Sequence, residues 1–197
     1  MSPRPGLDLQ TILKTATKLA DTNGLEAVTL ATLAKTLQVK SPSLYNHVKG
    51  LQVLKIEMAK YGYRQLNDQL AEAAIGRSQD AAVHHLGKRY VSFVRSHPGL
   101  YEAMLRAPRA ADEELEAIQS RSIQIVLQVM NEYKLGEEET LHAVRGLRSI
   151  LHGFASLEQN GEFGLPLKLD ISLELALNAY LAGIKALNDI NSSLRGS

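Results

Sequence analysis

Apolar positions recur at helical spacing along most of the chain, and no stretch alternates apolar with polar residues as a half-buried strand would. The pattern predicts an all-α protein of about nine helices. Leu9, Ile12, Leu13, Ala16, Leu19 and Ala20 share one face of a first helix. Asp8 suits its N-cap, and Asn23-Gly24 ends it with Gly24 in the left-handed region. Leu30, Leu33, Ala34 and Leu37 fall at i, i+3, i+4 and i+7 and give a short second helix its apolar stripe, with Thr29 as N-cap. After the turn Gln38-Val39-Lys40, a third helix opens with Ser41 as N-cap and Pro42 at its first position, where a missing N–H costs nothing. Leu44 and Val48, four apart, face inward, and Lys49-Gly50 ends this helix. A long fourth helix runs from about Leu51 to Ile75, stopped by Gly76.

The remainder reads as a helical body. A fifth helix spans about Asp80 to Ser96, and Pro98 breaks it by driving its predecessor out of the helical region. Pro98 to Leu105 forms a short sixth helix, and Ala107-Pro108 is a second break. Asp112, Glu113 and Glu114 open a seventh helix, where negative charge favours the dipole. Glu137 to Glu139 open an eighth that ends near Gln159 at Asn160-Gly161, and Asp170 caps a ninth running to about Asn188. The ninth helix is apolar around most of its girth, which predicts burial on most sides. Its small residues Ala176, Ala179, Gly183 and Ala186 permit close helix approach. A terminal helix is hard to bury so fully inside one subunit, so helices eight and nine are expected to pair with their copies in a homodimer. The candidate interface is Leu147, Leu151, Phe154, Ala176, Ala179, Tyr180, Gly183, Ile184 and Leu187; the alternative is burial within the monomer.

The third helix spends its outer face on Ser41, Ser43, Tyr45, Asn46 and His47, with Lys40 and Lys49 at its two ends. Hydroxyls, an amide, an imidazole and a phenol are hydrogen-bonding groups rather than solubilising charge. They suit a helix in a DNA major groove, where base edges and phosphates offer donors and acceptors. Residues 8–60, and Leu44-Tyr45-Asn46-His47-Val48-Lys49 above all, resemble the DNA-binding domain of the tetracycline-repressor (TetR) family of bacterial regulators. Leu151-His152-Gly153-Phe154, with Leu157-Glu158 and Gly161-Glu162-Phe163-Gly164, is similar to one C-terminal subtype of that family.

The resemblance implies a helix-turn-helix DNA-binding domain in residues 1–50 and an effector-binding and dimerisation domain in residues 51–197. It also implies a fourth helix that carries the signal between them. Thr29, Lys40, Ser41, Pro42, Ser43, Tyr45, Asn46, His47 and Lys49 form the expected DNA-binding set. Lys40, Tyr45 and Lys49 are assigned to phosphates, and Ser41, Ser43, Asn46 and His47 to base edges. Three residues depart from the family pattern. Gln38 holds a turn position often given to Gly, Leu51 stands where many members carry a polar phosphate contact, and Ala31 replaces a polar residue of some members.

Charge sharpens this division. Residues 1–60 carry eight Lys and Arg against four Asp and Glu, while the remainder carries 14 against 17. Only the N-terminal third has the footprint of a polyanion-binding surface. Met1–Leu7, with two prolines and a glycine, reads as an arm whose Arg4 reaches a phosphate or stays solvated. Cysteine is absent, which excludes disulfides and thiolate metal sites. The first ten residues lack the apolar core of a signal peptide, and no apolar run approaches the roughly 18–20 residues of a membrane span, so a cytoplasmic location without membrane contact is expected.

The body needs its own task, and the resemblance implies a pocket for an unknown small-molecule effector. Candidate lining groups are Tyr90, Phe93, His97, Tyr101, Met104, Met130, Arg148 and His152, although plain core or surface roles suit each. His84 and His85 point about 100° apart on a helix and have no third ligand at metal spacing. No phosphate loop, dinucleotide fingerprint or nucleophile elbow occurs, so no cofactor is expected. The leading expectation is a repressor released from a palindromic operator by the effector. A DNA-binding dimer controlled by abundance or a partner protein is the second, and a small all-α enzyme the third.

Overall fold

A computed structural model describes residues 7–108 and 112–195, with side chains through residue 188. The arm bearing Arg4 lies outside the described residues. The elements are α1 (Leu9–Asn23), a 3-10 turn (Leu25–Ala27), α2 (Leu30–Leu37), α3 (Ser41–Tyr45), α4 (Leu51–Ala74), α5 (Gln79–Ser96), α6 (Pro98–Arg106), α7 (Glu113–Asn131), α8 (Glu137–Gln159) and α9 (Leu169–Arg195). Among the described residues there is no strand, and the fold is all-α. They group into two compact units. One takes the chain up to Gln65 with Ser96–Ile118, and the other takes Leu66–Arg95 with Gln119 onward.

In the first unit, α1 begins as its sequence dictates, with the Asp8 carboxylate accepting the Thr11 N–H at 2.6 Å. Gly24 ends the helix at φ 82° and ψ 158°, a positive φ but not the left-handed helical region expected. Ile12, Leu13, Ala16 and Ala20 are buried against α2, the 3-10 turn and α6. The approach of α6 is especially close. A Cβ on Gly99 would lie 2.2 Å from the Ala20 carbonyl, so only glycine lets the two backbones meet there. The Asp21 carboxylate accepts the Leu100 N–H at 3.0 Å and stands 2.9 Å from His97 Nδ1. It thereby caps α6, whose own N-cap residue His97 makes no side-chain cap. At the other end of α6, Arg106 pairs with Glu26 and Glu102.

The second unit carries a core of Val83, Leu86, Phe93, Met130, Leu147, Leu151, Leu177 and Leu181. Gly87 of α5 allows the approach of Leu177 and Leu151, whose methyls would lie 2.8 and 3.2 Å from an added Cβ. Tyr133 donates to Asp80 at 2.8 Å, and Lys185 reaches the same carboxylate at 2.5 Å, joining α9 and the turn after α7 to the start of α5. Asp170 was expected to cap α9, but the helix starts at Leu169 and Asp170 pairs with Arg95 instead. The helix also runs to Arg195, past the expected end near Asn188.

Gly99→Ala forces α6 off α1. Overpacking of this kind costs about 1–3 kcal/mol, so thermal melting should show a lowered Tm. An unchanged Tm would mean that the helices are not in backbone contact.

Candidate nucleic-acid interface

The site is built on α2 and α3. Thr29 caps α2 and shares a reciprocal box with Thr32: the Thr32 N–H donates to Thr29 Oγ1 at 3.0 Å, and the Thr29 N–H to Thr32 Oγ1 at 2.9 Å. Sequence reasoning found Thr29 and missed Thr32, although the i, i+3 spacing of a capping box was there to read. The turn then depends on Gln38, which adopts φ 56° and ψ 39° and lets the Val39 N–H return to the Ala34 carbonyl at 3.0 Å. This is the helix ending that glycine normally supplies, achieved here by a glutamine.

α3 is only five residues long. Its N-cap is Lys40 rather than the expected Ser41, and no side chain caps it; Pro42 occupies the first turn. The helix ends at Tyr45, and Asn46 and His47 continue as a turn in which the His47 and Val48 N–H groups both donate to the Leu44 carbonyl at 2.9 Å. Leu44 and Val48 are 0% and 1% exposed, as their spacing predicted. They fix the orientation of everything between them.

The opposite face is open. Lys40, Ser41, Pro42, Tyr45, Asn46, His47 and Lys49 are exposed, Tyr45 at 56%, and Thr29 and Ser43 are half-buried. The side chains of Ser41, Ser43, Tyr45 and Asn46 make no hydrogen bond within the described residues. Thr29 differs, since its hydroxyl is already engaged in the capping box. The start of α1 lies near the same face. The Thr11 N–H chiefly holds the Asp8 carboxyl below its ordinary range, and the charge of His47 adds to that shift. Apart from Thr29, the polar side chains of this face thus present donors and acceptors outward.

The other candidates divide between the two units. Phe93, Tyr101, Met104 and Met130 are buried, Tyr90, His97 and His152 half-buried, and Arg148 exposed. His97, Tyr101 and Met104 belong to the first unit, and Tyr90, Phe93, Met130, Arg148 and His152 to the second. His97 is engaged with Asp21. Among the candidate interface residues, Leu147, Leu151 and Ile184 are buried in their own subunit. Tyr180, half-buried, donates its hydroxyl to the Ala143 carbonyl at 2.5 Å, and Phe154 packs a ring against Phe163 with centroids 5.1 Å apart. Ala176 is half-buried, while Ala179, Gly183 and Leu187 are exposed. No group of His, Asp and Glu suited to a metal occurs among the described residues, and no described helix is long and apolar enough to cross a membrane.

A helix-turn-helix with an uncommitted polar face, carried on an all-α framework, defines the class of helix-turn-helix regulators. Residues 83–180 match the family model described as Tetracyclin repressor-like, C-terminal domain. A relative from Bacillus subtilis (strain 168), an uncharacterised HTH-type transcriptional regulator called YobS, is 37% identical over 93% of this chain and 96% of its own. The chain belongs to the TetR family of transcriptional regulators. Solved structures share the fold. A protein of unknown function from Rhodococcus sp. RHA1 matches with a TM-score of 0.81 at 21% identity, covering 93% of this chain and 98% of its own. A variant of TetR from Acinetobacter baumannii AYE in complex with minocycline matches at 0.69 and 16%, covering 93% and 99%.

Gln38 holds a left-handed conformation that disfavours a side chain by about 1–2 kcal/mol. Gln38→Gly should therefore stabilise the protein by up to about 1 kcal/mol after glycine's own entropic cost, read as a higher midpoint of urea unfolding. A lower midpoint would show that the Gln38 side chain contributes more than its backbone strain costs.

Proposed function

We propose that this regulator is a cytoplasmic homodimeric repressor without enzymatic activity, released from a palindromic operator by a small-molecule effector. The observation that carries it is the two-sided α3: Leu44 and Val48 buried to within 1%, and the polar groups between and beside them unengaged. In this reading residues 1–50 contact DNA and residues 51–197 serve dimerisation and effector binding. Lys40, Tyr45 and Lys49 hold phosphates, while Ser41, Ser43, Asn46 and His47 face base edges. Pro42 sets the start of the helix, and Thr29 holds α2 beneath it.

Dimerisation rests on α9, which has two apolar stripes. Leu173, Leu177, Leu181 and Ile184 face the subunit's own core. Ile171 and Leu175 are 55% and 63% exposed, and Ala179 and Ala186 extend their stripe on the opposite face. A helix apolar on two sides has a second surface to cover, and a two-fold mate would cover it. Leu147, Leu151 and Ile184 then support the interface from behind. Two copies of α3 would enter successive major grooves about 34–36 Å apart.

The effector is proposed by analogy with the minocycline-bound structure of the A. baumannii variant. In the second unit Tyr90, His152 and Arg148 are the polar groups offered to it. One observation favours the second reading, an effector-independent dimer: Phe93 and Met130 are 1% and 0% exposed and pack as core.

Sequencing genomic fragments retained by the purified protein should return a palindrome. On that site, His47→Ala should weaken binding by about 1–3 kcal/mol and relax specificity at one position, whereas Lys49→Ala should weaken all sequences alike and lower the salt slope by about one. Retention without any enriched site would defeat the reading. Leu175→Glu should yield a monomer by sedimentation and lose the operator; a dimer of unchanged affinity would place the interface elsewhere.

A further inference from the structure

Lys60 lies on α4, the helix that begins directly behind α3, nine residues after Leu51 and so about 13 Å along the axis. It is 4% exposed. Its ammonium stands 2.9 Å from Glu57 on the same helix, 2.8 Å from Asp112 and 2.8 Å from Glu114. Asp112 is tied in turn to α7, accepting the Leu115 N–H at 3.0 Å, and Arg64, one turn beyond Lys60, pairs with Glu114. All these groups belong to the first compact unit. Burial pulls the Lys60 pKa down, but hydrogen bonds to Asp112, Glu114 and Glu57 outweigh it and hold the ammonium charged.

A buried ion pair is a poor way to gain stability. Its desolvation offsets most of the attraction, and a well-packed apolar side chain of similar size is often as good or better. Lys60 does something a methionine could not. Two of its contacts, to Asp112 and Glu114, reach from α4 to the start of α7, and the third, to Glu57, holds the ammonium on α4 itself, so the cluster ties the two helices together at one height. Only residues 46–50 connect α3 to α4, so the placement of α4 limits where α3 can lie.

We propose that Lys60 is a positioning residue for operator binding: by joining Glu57 of α4 to Asp112 and Glu114 at the start of α7, its ammonium sets where α4 holds α3. This rests on the dimeric regulator reading, in which two copies of α3 must meet two half-sites in register. An unclasped α4 leaves each head more freedom, and that freedom must be given up on binding. Lys60 does not touch DNA, so its loss should not alter the number of phosphates neutralised.

The experiment compares wild type, Lys60→Met and the double variant Asp112→Asn/Glu114→Gln on the selected operator and on random DNA at several salt concentrations, with melting recorded for each. Both variants should stay folded and bind the operator about tenfold more weakly. Affinity for random DNA and the salt slope on the operator should stay at wild-type values. Operator affinity within twofold of wild type in a folded variant overturns the proposal. So does a salt slope lower by about one, which would make Lys60 a phosphate contact. If Lys60→Met does not fold, the double variant decides, since it keeps the Lys60–Glu57 pair and removes only charge on α7. A wild-type protein that enriches no operator defeats the regulator reading itself, and that outcome is distinct because it precedes any substitution.

Discussion

A helix of five residues cannot hold its shape in water, because the cost of nucleation exceeds what so few hydrogen bonds return. α3 exists because Leu44 and Val48 are buried beneath it. That dependence shapes the rest of the first unit. The groups that give α3 its chemistry must stay outside, so everything that stabilises it has to come from one side. The Thr29–Thr32 box starts α2 at the right residue, and the left-handed turn at Gln38 sends the chain back across it. α1 packs against α2 with Ile12, Leu13 and Ala16 buried, and so supplies the floor on which α2 rests.

The floor is itself braced. Gly99 brings α6 into backbone contact with α1, and the Asp21 carboxylate closes the open N-terminus of α6 with one hydrogen bond from the Leu100 N–H and a close contact to His97 Nδ1. Arg106 meets Glu26 at the far end, and Lys60 gathers Asp112 and Glu114 where α7 begins. The apolar contacts in this unit give it mass, while the polar clasps give it register. Sliding one helix along another changes little buried area but breaks directed hydrogen bonds, so the clasps determine where α3 is held. For acidity the sign is clear. Asp112 and Glu114 are held below their ordinary values chiefly by Lys60, so the stability they lend is present near neutrality and fades as pH falls through their lowered values.

Local features were legible in the chain. The i, i+3, i+4, i+7 run of α2, the four-residue spacing of Leu44 and Val48, Asp8 as a cap and the Gly and Pro breaks all act within one or two turns. What the sequence hid acts over distance. Asp21 and Leu100 are 79 residues apart, and Lys60 and Glu114 are 54 apart, so no periodicity links them. Nor does pattern separate the two apolar stripes of α9. Leu173, Leu177, Leu181 and Ile184 are no more apolar than Ile171 and Leu175, and only their burial shows which stripe faces the subunit's own core. Close packing is hidden in the same way: Met104 lies against Gly62, where an added Cβ would come 2.6 Å from its sulfur, a contact that composition alone does not reveal.

The claim that the open face of α3 reads DNA as part of a two-fold pair has a direct physical signature. Hydroxyl-radical footprinting of the bound operator should show two protected patches, centred about one helical turn apart on the same face of the duplex and related by the dyad of the site. Loss of protection at both patches together when Leu44 is replaced by Asp, a change that expels α3 from its apolar seat, would tie the footprint to that helix. A single unpaired patch, or protection that survives intact without a seated α3, would contradict the account.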